Sequence, residues 1–283
     1  MSKYFEGWYL KHQKDGRTLA LIPGRSDDEA FIQVIDDEAS YYIPYPLKEY
    51  SNRNGLIKIA ENQFSREGVI LRIDHKDISL NGNLRYNSLT PIAYDIMGPF
   101  RFFPMECKHS VISMDHTIQG EFLFNDQRID FNRGRGYIES DRGKSFPESY
   151  LWTQANDFDE RCSVMVAIAK IPFAGLKFWG CISVVWYRGR EYRLATYRGV
   201  KVRKRSRDGL FIQQGKYRLV VDVPIQNGYA LYAPDQGSML RTIHEVPSCT
   251  ARYRFYLNED LLFDKTSHCA SYEFAEKDSG IKS

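Results

Sequence analysis

Apolar and polar residues alternate with a period of two along most of the chain, which is typical of β-strands with one buried face. Residues 68–74 and 78–86 follow this pattern across a short polar turn. Residues 117–124 and 128–131 do so across Asn125-Asp126-Gln127, a hairpin signature. The helical period does not persist beyond about two turns anywhere. Short strands with frequent turns therefore predict an all-β chain built from barrels or sandwiches.

Composition supports the same fold class. Aromatic residues make up 14% of the 283 residues, and flat aromatic side chains pack well on sheets. With 43% hydrophobic and 27% charged residues, the chain is not globally disordered. A chain of this length buries a sizeable core without needing disulfides or a metal.

Glycine and charged residues interrupt two strand-like stretches at positions 132–136, Asn-Arg-Gly-Arg-Gly. This interruption divides the chain into halves of ordinary domain size. We therefore predict an N-terminal β domain over residues 1–133 and a C-terminal β domain over residues 134–283.

Charge and targeting features exclude several protein classes. The net charge of +3 is close to balanced, which argues against a nucleic-acid-binding protein. The first residues contain no apolar signal region, and no run approaches 18 apolar residues. The five cysteines contain no CxxC pair and are expected to be reduced. These features predict a cytoplasmic protein.

Common catalytic and cofactor motifs are absent from the sequence, including GxGxxG, a Walker loop, HExxH and GxSxG. The six histidines show no HxH or HxxxH spacing. We expect neither a metal nor a cofactor, although a zinc site assembled only by folding is an alternative.

The basic run at residues 188–207 indicates an anionic partner. That partner is either RNA or the phosphates of a membrane surface, and the membrane surface fits a lipid-handling protein better. The alternative is a solvated hairpin whose basic side chains point outward. The run has a single acid, Glu191, and nine basic residues: Arg188, Arg190, Arg193, Arg198, Lys201, Arg203, Lys204, Arg205 and Arg207.

The segment 136–158 combines polar and aromatic residues in an unusual way. In a strand, Tyr150, Trp152, Gln154 and Asn156 share one face. Buried amides need hydrogen-bond partners, and plain surfaces rarely carry a Trp. Such a face suits the wall of a ligand cavity, where aromatics cover an apolar ligand and amides orient its polar end.

Glu139 and Asp141 are two residues apart, so a strand directs both carboxylates the same way. Paired carboxylates can raise one another's pKa and leave one of them protonated as a general acid. The alternative is a salt-bridged turn in which Asp141 pairs with Arg142 or Lys144.

Two motifs resemble hallmark segments of the tocopherol cyclase family. They are YFEGWY at residues 4–9 and GYIESDRGKSFPESYLWTQANDF at residues 136–158. The family pattern in the second is roughly GYIEKDWGxSFPxxWxWxQxNxF, a match over some twenty residues. Elsewhere the likeness lies in length, aromatic content and strand rhythm.

The resemblance implies two lipocalin-like β-barrel or β-sandwich domains in tandem, related to carotenoid hydratases, with a pocket for an isoprenoid or prenylated aromatic lipid. It also implies cyclisation of a prenylated benzoquinol to a chromanol, in which an acid protonates the alkene and the phenol oxygen attacks the cation. This reaction needs a placed acid, a dry pocket and aromatic faces, but no redox cofactor.

Carried over by position, the resemblance makes Asp141 the first candidate for the proton donor and Glu139 the second. Aromatic side chains would face the cation, and amides would orient the quinol hydroxyls. The implied substrate-binding residues are Trp8, Tyr150, Trp152, Gln154, Asn156 and Arg142.

The sequence departs from the family pattern at three positions. Arg142 and Tyr150 replace tryptophans, and Ser140 replaces a lysine. A guanidinium at position 142 would oppose a cation, bind an anionic head group or pair with Asp141. This departure motivates an alternative function, a lipocalin-like carrier that binds an isoprenoid lipid without chemistry. A third hypothesis is a protein that acts at a membrane surface through the basic run.

Overall fold

The computed structural model describes residues 3–173, 175–224 and 229–276. Within these ranges the chain forms β-strands and three short 3-10 turns, at Leu47–Glu49, Gly98–Phe102 and Thr196–Arg198. It divides into two compact units. The first comprises residues 3–146 with 229–242, and the second comprises residues 147–224 with 243–276. No described segment forms a helix with the length and hydropathy needed to cross a bilayer.

One antiparallel sheet of twelve strands forms the first unit, in the order β4-β3-β2-β1-β12-β10-β9-β8-β7-β6-β5, with β11 paired to β10. The strands are β1 (Phe5–Lys14), β2 (Arg17–Arg25), β3 (Glu29–Asp36), β4 (Ser40–Pro46), β5 (Tyr50–Arg53), β6 (Leu56–Ile59), β7 (Asn62–Phe64), β8 (Gly68–His75), β9 (Ile78–Asn87), β10 (Cys107–Phe124), β11 (Gln127–Asp130) and β12 (Gly134–Gly143). Strands from both ends of this sheet contribute to a single apolar core, so the sheet is curled around it.

The second sheet has ten strands in the order β16-β15-β14-β13-β22-β21-β19-β18-β17, with β20 paired to β21. A second apolar core packs inside it. The strands are β13 (Tyr150–Ala155), β14 (Cys162–Phe173), β15 (Leu176–Tyr187), β16 (Arg190–Ala195), β17 (Lys201–Ser206), β18 (Gly209–Gln214), β19 (Tyr217–Asp222), β20 (Tyr229–Asp235), β21 (Ser238–Leu257) and β22 (Asp260–Ala275).

The division between the units differs from the predicted boundary at residue 133. Residues 132 and 133 form a tight turn, and β12, a central strand of the first sheet, begins at Gly134. Arg133 has a φ of 65°, which is a turn conformation. Tight turns and linkers have similar composition, so the sequence did not distinguish them. The chain instead passes from the first unit to the second after Phe146. It returns once, because residues 229–242 belong to the first unit.

Candidate functional site

Strand β12 lies between β1 and β10, and its register decides which side chains meet. Glu139 lies opposite Tyr9 on β1, while Asp141 lies opposite His109 on β10. Directly opposed residues of an antiparallel pair share one face of the sheet. The opposed pair Leu10 and Ile138 faces the apolar core. Glu139, Asp141 and His109 therefore share the face that is turned away from the core of the first unit.

His109 joins the two carboxylates. Its Nδ1 is 3.0 Å from Oδ1 of Asp141, and its Nε2 is 3.3 Å from Oε2 of Glu139. The Nε2 contact is an ion-pair contact rather than a directed hydrogen bond. Tyr137 Oη donates a hydrogen bond of 2.5 Å to the same Glu139 oxygen. These groups are buried, except that Asp141 keeps 23% of its side chain exposed. We call His109, Glu139, Asp141 and Tyr137 the acid cluster.

Electrostatics hold an extra proton in the acid cluster. Burial alone would lower the pKa of His109, but the charges of Asp141 and Glu139 outweigh it and raise that pKa well above its usual value. Burial, followed by the charge of Glu139, raises the pKa of Tyr137. Burial and the nearby Asp141 also raise the pKa of the Cys107 thiol, whose Sγ lies 3.4 Å from Oδ1 of that residue. The acid cluster therefore holds a proton on His109 between two carboxylates, and Cys107 is a protonated thiol rather than a nucleophile.

The donor atoms of His109, Glu139 and Asp141 lie within 4.8 Å of one another, which is close enough to consider a metal site. Both ring nitrogens of His109 face carboxylates, however, and a raised pKa keeps protons on both. An imidazolium has no lone pair to offer a metal. A metal would therefore have to displace a proton from His109 before these three residues could hold it.

Strand β13 in the second unit holds the other predicted site residues. Leu151 and Ala155 pack in the second core. The even-numbered residues of β13 point from the opposite face of the sheet. Tyr150, Trp152 and Gln154 therefore share one face of β13, as the alternation predicts, and Asn156 follows just beyond the end of the strand. All four are buried, and Gln154 Nε2 donates to Asn156 Oδ1 at 3.0 Å. Tyr150 Oη donates to Glu273 at 2.7 Å, so this face combines two aromatics with satisfied polar groups.

Trp8 and Arg142 do not join the acid cluster. Trp8 lies opposite Ser140 and packs in the core of the first unit, like Leu10 two residues later. Gly7 and Tyr9 lie on the opposite face, which is the face of the acid cluster. Arg142 is exposed and, as the neighbour of Asp141 in a strand, points from the opposite face. The alternative in which Asp141 forms a salt-bridged turn with Arg142 is therefore not what the structure shows. The charge partner of Asp141 is His109.

His109 and Tyr137 were not predicted from the sequence. Tyr137 lies two residues before Glu139, so the period of a strand could have placed it on the same face. His109 gives no local signal, because it reaches Asp141 only through the pairing of β10 with β12 across 32 positions. A lone histidine in an alternating strand carries no information about its partner strand.

A second histidine cluster lies inside the core of the first unit. His12 and His116 lie opposite Gly136 from either side. His12 Nδ1 is 3.1 Å from the carbonyl oxygen of Leu19, and this acceptor places a proton on Nδ1. Nε2 then accepts a hydrogen bond of 2.5 Å from Tyr86. We call His12, Tyr86 and His116 the core cluster.

Burial keeps the core cluster neutral. It lowers the pKa of His12 to about 4. Burial, followed by the nearby His12, lowers the pKa of His116 to about 3. Gly136 makes room for the imidazoles, since a Cβ there would lie 2.3 Å from His116 Nε2. The causes acting on these two pKa values include no carboxylate, so the core cluster holds no extra proton.

Comparison with solved structures identifies the fold. The chain is similar to CghA, with a TM-score of 0.62 at 10% identity over 97% of this chain and 89% of that one. It is also similar to CghA with Sch210972, with a TM-score of 0.61 at 10% identity over the same shares of both chains. Kievitone hydratase from Nectria haematococca aligns with a TM-score of 0.54 at 8% identity over 98% of this chain and 90% of that one.

These similarities confirm the predicted all-β, lipocalin-like fold. No family model matches the chain, and no curated protein matches it. The resemblance of the two motifs to the tocopherol cyclase family thus remains a prediction.

Proposed function

We propose that the protein is a lipocalin-like enzyme that adds an O–H group across the double bond of an isoprenoid lipid. In the form that the sequence motifs favour, it cyclises a prenylated benzoquinol to a chromanol. The observation that carries this proposal is the acid cluster, in which one imidazole joins two carboxyl groups in a buried setting. Acid–base catalysis requires groups that hold a proton near the substrate and exclude competing water.

Asp141 is the proposed proton donor, because it is the more accessible of the two carboxyl groups. The His109 imidazolium gives its Nδ1 proton to Asp141, and Asp141 passes a proton to the alkene, which forms the new C–H bond and leaves a tertiary carbocation. The phenol oxygen attacks that carbon and forms the C–O bond. The phenol proton returns through Asp141 to Nδ1 of His109, which restores the imidazolium. Atoms and charge balance, so the reaction is an isomerisation that needs no oxidant.

Within the second unit, the face of β13 is a separate candidate for lipid binding. Trp152 and Tyr150 offer aromatic surfaces to an isoprenoid chain. The amides of Gln154 and Asn156 offer hydrogen bonds for quinol hydroxyls. We assign these residues to substrate binding, and the proposed partner is an isoprenoid or prenylated aromatic lipid.

Hydration is the second candidate reaction, since water and phenol are equivalent nucleophiles toward the same carbocation. The similarity to kievitone hydratase motivates it. The carrier is the alternative function, motivated by the replacement of a tryptophan by Arg142, which is exposed and lies on the other face of the sheet from Asp141.

Incubation with a reduced, prenylated benzoquinol in deuterated buffer without oxygen tests the proposal. Cyclisation gives a product that carries one new carbon-bound deuterium and has lost one phenol hydroxyl. Hydration adds the mass of one water instead. Liquid chromatography with mass spectrometry separates these outcomes. A quinol that binds but returns unchanged would support the carrier and refute both reactions.

The variant Asp141→Asn tests the assignment of the donor. The amide cannot deliver a proton, so turnover should fall by about 100-fold or more. Asp126→Asn is the matched control, since Asp126 is exposed and its φ of 64° suits Asn. Full activity in Asp141→Asn would exclude Asp141 as the acid.

A further inference from the structure

Cys107 is the first residue of β10 and lies beside the acid cluster. It is opposite Gly143 on β12, and His109 follows two residues later, so both side chains share the face that carries the cluster. A Cβ on Gly143 would lie 2.0 Å from the carbonyl oxygen of Glu106, so only glycine permits this close approach. The backbone N–H of Lys144 donates a hydrogen bond of 2.7 Å to the same oxygen. The end of β12 therefore fixes the start of β10, and with it the position of Cys107.

The thiol of Cys107 and the imidazole of His109 meet on one oxygen of Asp141. Cys107 Sγ donates to Oδ1 at 3.4 Å, and His109 Nδ1 lies 3.0 Å from the same atom. Oδ2 accepts no hydrogen bond from the residues that the structure describes, and the side chain is 23% exposed. Two donors on Oδ1 restrict rotation of the carboxyl group about its Cβ–Cγ bond and leave Oδ2 free to face a substrate.

The proposed reaction removes one of these two donors for part of each cycle. Once His109 has passed its Nδ1 proton to Asp141, Nδ1 carries a lone pair and no longer donates. Asp141 then gives a proton to the alkene and is a carboxylate again, beside a neutral imidazole. Among the described residues, the S–H of Cys107 is the donor that remains on Oδ1 at this stage. A hydrogen bond to a carboxylate is stronger than one to a neutral carboxyl group, so this contact strengthens as the proton leaves.

We propose that Cys107 is a positioning residue for Asp141, which holds the carboxylate in place between proton delivery and proton return, while His109 lacks its Nδ1 proton. This inference rests on the proposed function, because it assigns Cys107 to the same proton transfer. The thiol keeps its own proton and forms no bond to the substrate. Its loss should therefore slow the chemical step without weakening substrate binding.

Turnover of the reduced, prenylated benzoquinol by Cys107→Ala and Cys107→Ser tests this role. Cys107→Ala removes the donor, so kcat should fall by about 10-fold while KM stays unchanged. Cys107→Ser keeps an O–H donor in nearly the same place, so kcat should return to within about 3-fold of the native value. A role in packing alone predicts no such rescue, since serine is smaller and more polar than cysteine.

Cys181→Ala is the matched control. Cys181 is also a buried thiol, but it packs in the apolar core of the second unit. Its loss should leave kcat per folded molecule unchanged. Equal losses in Cys107→Ala and Cys181→Ala, or a Cys107→Ser protein no more active than Cys107→Ala, would overturn the positioning role. A native chain without turnover would instead refute the proposed function, and this role with it.

The infrared S–H stretching band gives a readout that needs no turnover. A thiol that donates to a carboxylate absorbs at a lower frequency than a thiol without an acceptor, and the band of Cys107 is the one lost in Cys107→Ala. Asp141→Ala removes the acceptor, so this band should shift to a higher frequency. A band at the same frequency in the native chain and in Asp141→Ala would show that the thiol does not hold Asp141, and would overturn the proposal whatever the activity.

Discussion

The acid cluster and the core cluster lie on opposite faces of one sheet, with His109 and His116 on β10 and His12 on β1. Both clusters are buried, and each contains a tyrosine that donates a short hydrogen bond. They differ in charge: carboxylates raise the pKa of His109, whereas burial lowers the pKa of His12 and His116. The charge of the partner, and not the degree of burial, decides whether a buried histidine holds a transferable proton.

The largest expected effect distinguishes the two clusters by activity. His109→Gln keeps polar contacts but cannot supply a proton to Asp141 and take it back, so turnover of the quinol should fall by about 100-fold or more. The pH profile of the remaining activity should change as well. His12→Gln should leave turnover per folded molecule unchanged, with the folded fraction measured by near-ultraviolet circular dichroism. Equal turnover in both variants would contradict the division of roles.

A difference in packing gives the next effect. Gly136→Ala places a Cβ 2.3 Å from His116 Nε2 and should lower the free energy of unfolding by about 1–3 kcal/mol. Gly7→Ala is the matched control, because its Cβ meets nothing closer than the carbonyl oxygen of Pro23 at 3.5 Å. Urea unfolding measures both. A Gly136→Ala protein as stable as the Gly7→Ala protein would show that the core cluster is not tightly packed around Gly136.

The smallest effect is a slope with pH. The folded pKa values of His12 and His116 are about 4 and 3. Their ordinary value is about 6.5, so below that pH the unfolded chain binds protons that the folded chain does not. The free energy of unfolding should therefore fall as the pH drops from about 6.5 toward 4, by about 1.4 kcal/mol per pH unit for each histidine.

His109 acts in the opposite direction. Its folded pKa is raised, so its stabilising contribution is complete below about pH 6.5 and is lost as the pH rises through the raised value. Urea unfolding of the native chain and of His116→Leu between pH 5 and 7.5 separates the contributions. The variant should show a shallower slope on the acid side, even if it is less stable throughout. An unchanged slope would mean that His116 is protonated in the folded state.

Local sequence patterns were sufficient for the fold class and for part of the site. Alternation placed Glu139 with Asp141 and Trp152 with Gln154, because a strand has a fixed period of two. It did not show that Trp8 packs in the core of the first unit, because the buried face of β1 depends on the strands that pair with it. Nor could it find His109, because strand pairing over long sequence distances leaves no local periodicity. The segment 132–136 has the composition of a linker, but it forms a turn and the start of β12 within the first sheet.

The return of residues 229–242 to the first unit has a consequence for synthesis on the ribosome. Gln33 is buried, and its side-chain amide exchanges two hydrogen bonds with the backbone of Tyr232, at 2.9 and 3.0 Å. Ser145 likewise holds Asp235 at 3.1 Å. At about 5–20 residues per second, translation of the intervening chain takes on the order of ten seconds. During that interval the Gln33 amide lacks its Tyr232 partner. The first unit is complete only after the hairpin that contains Tyr232 has been synthesised.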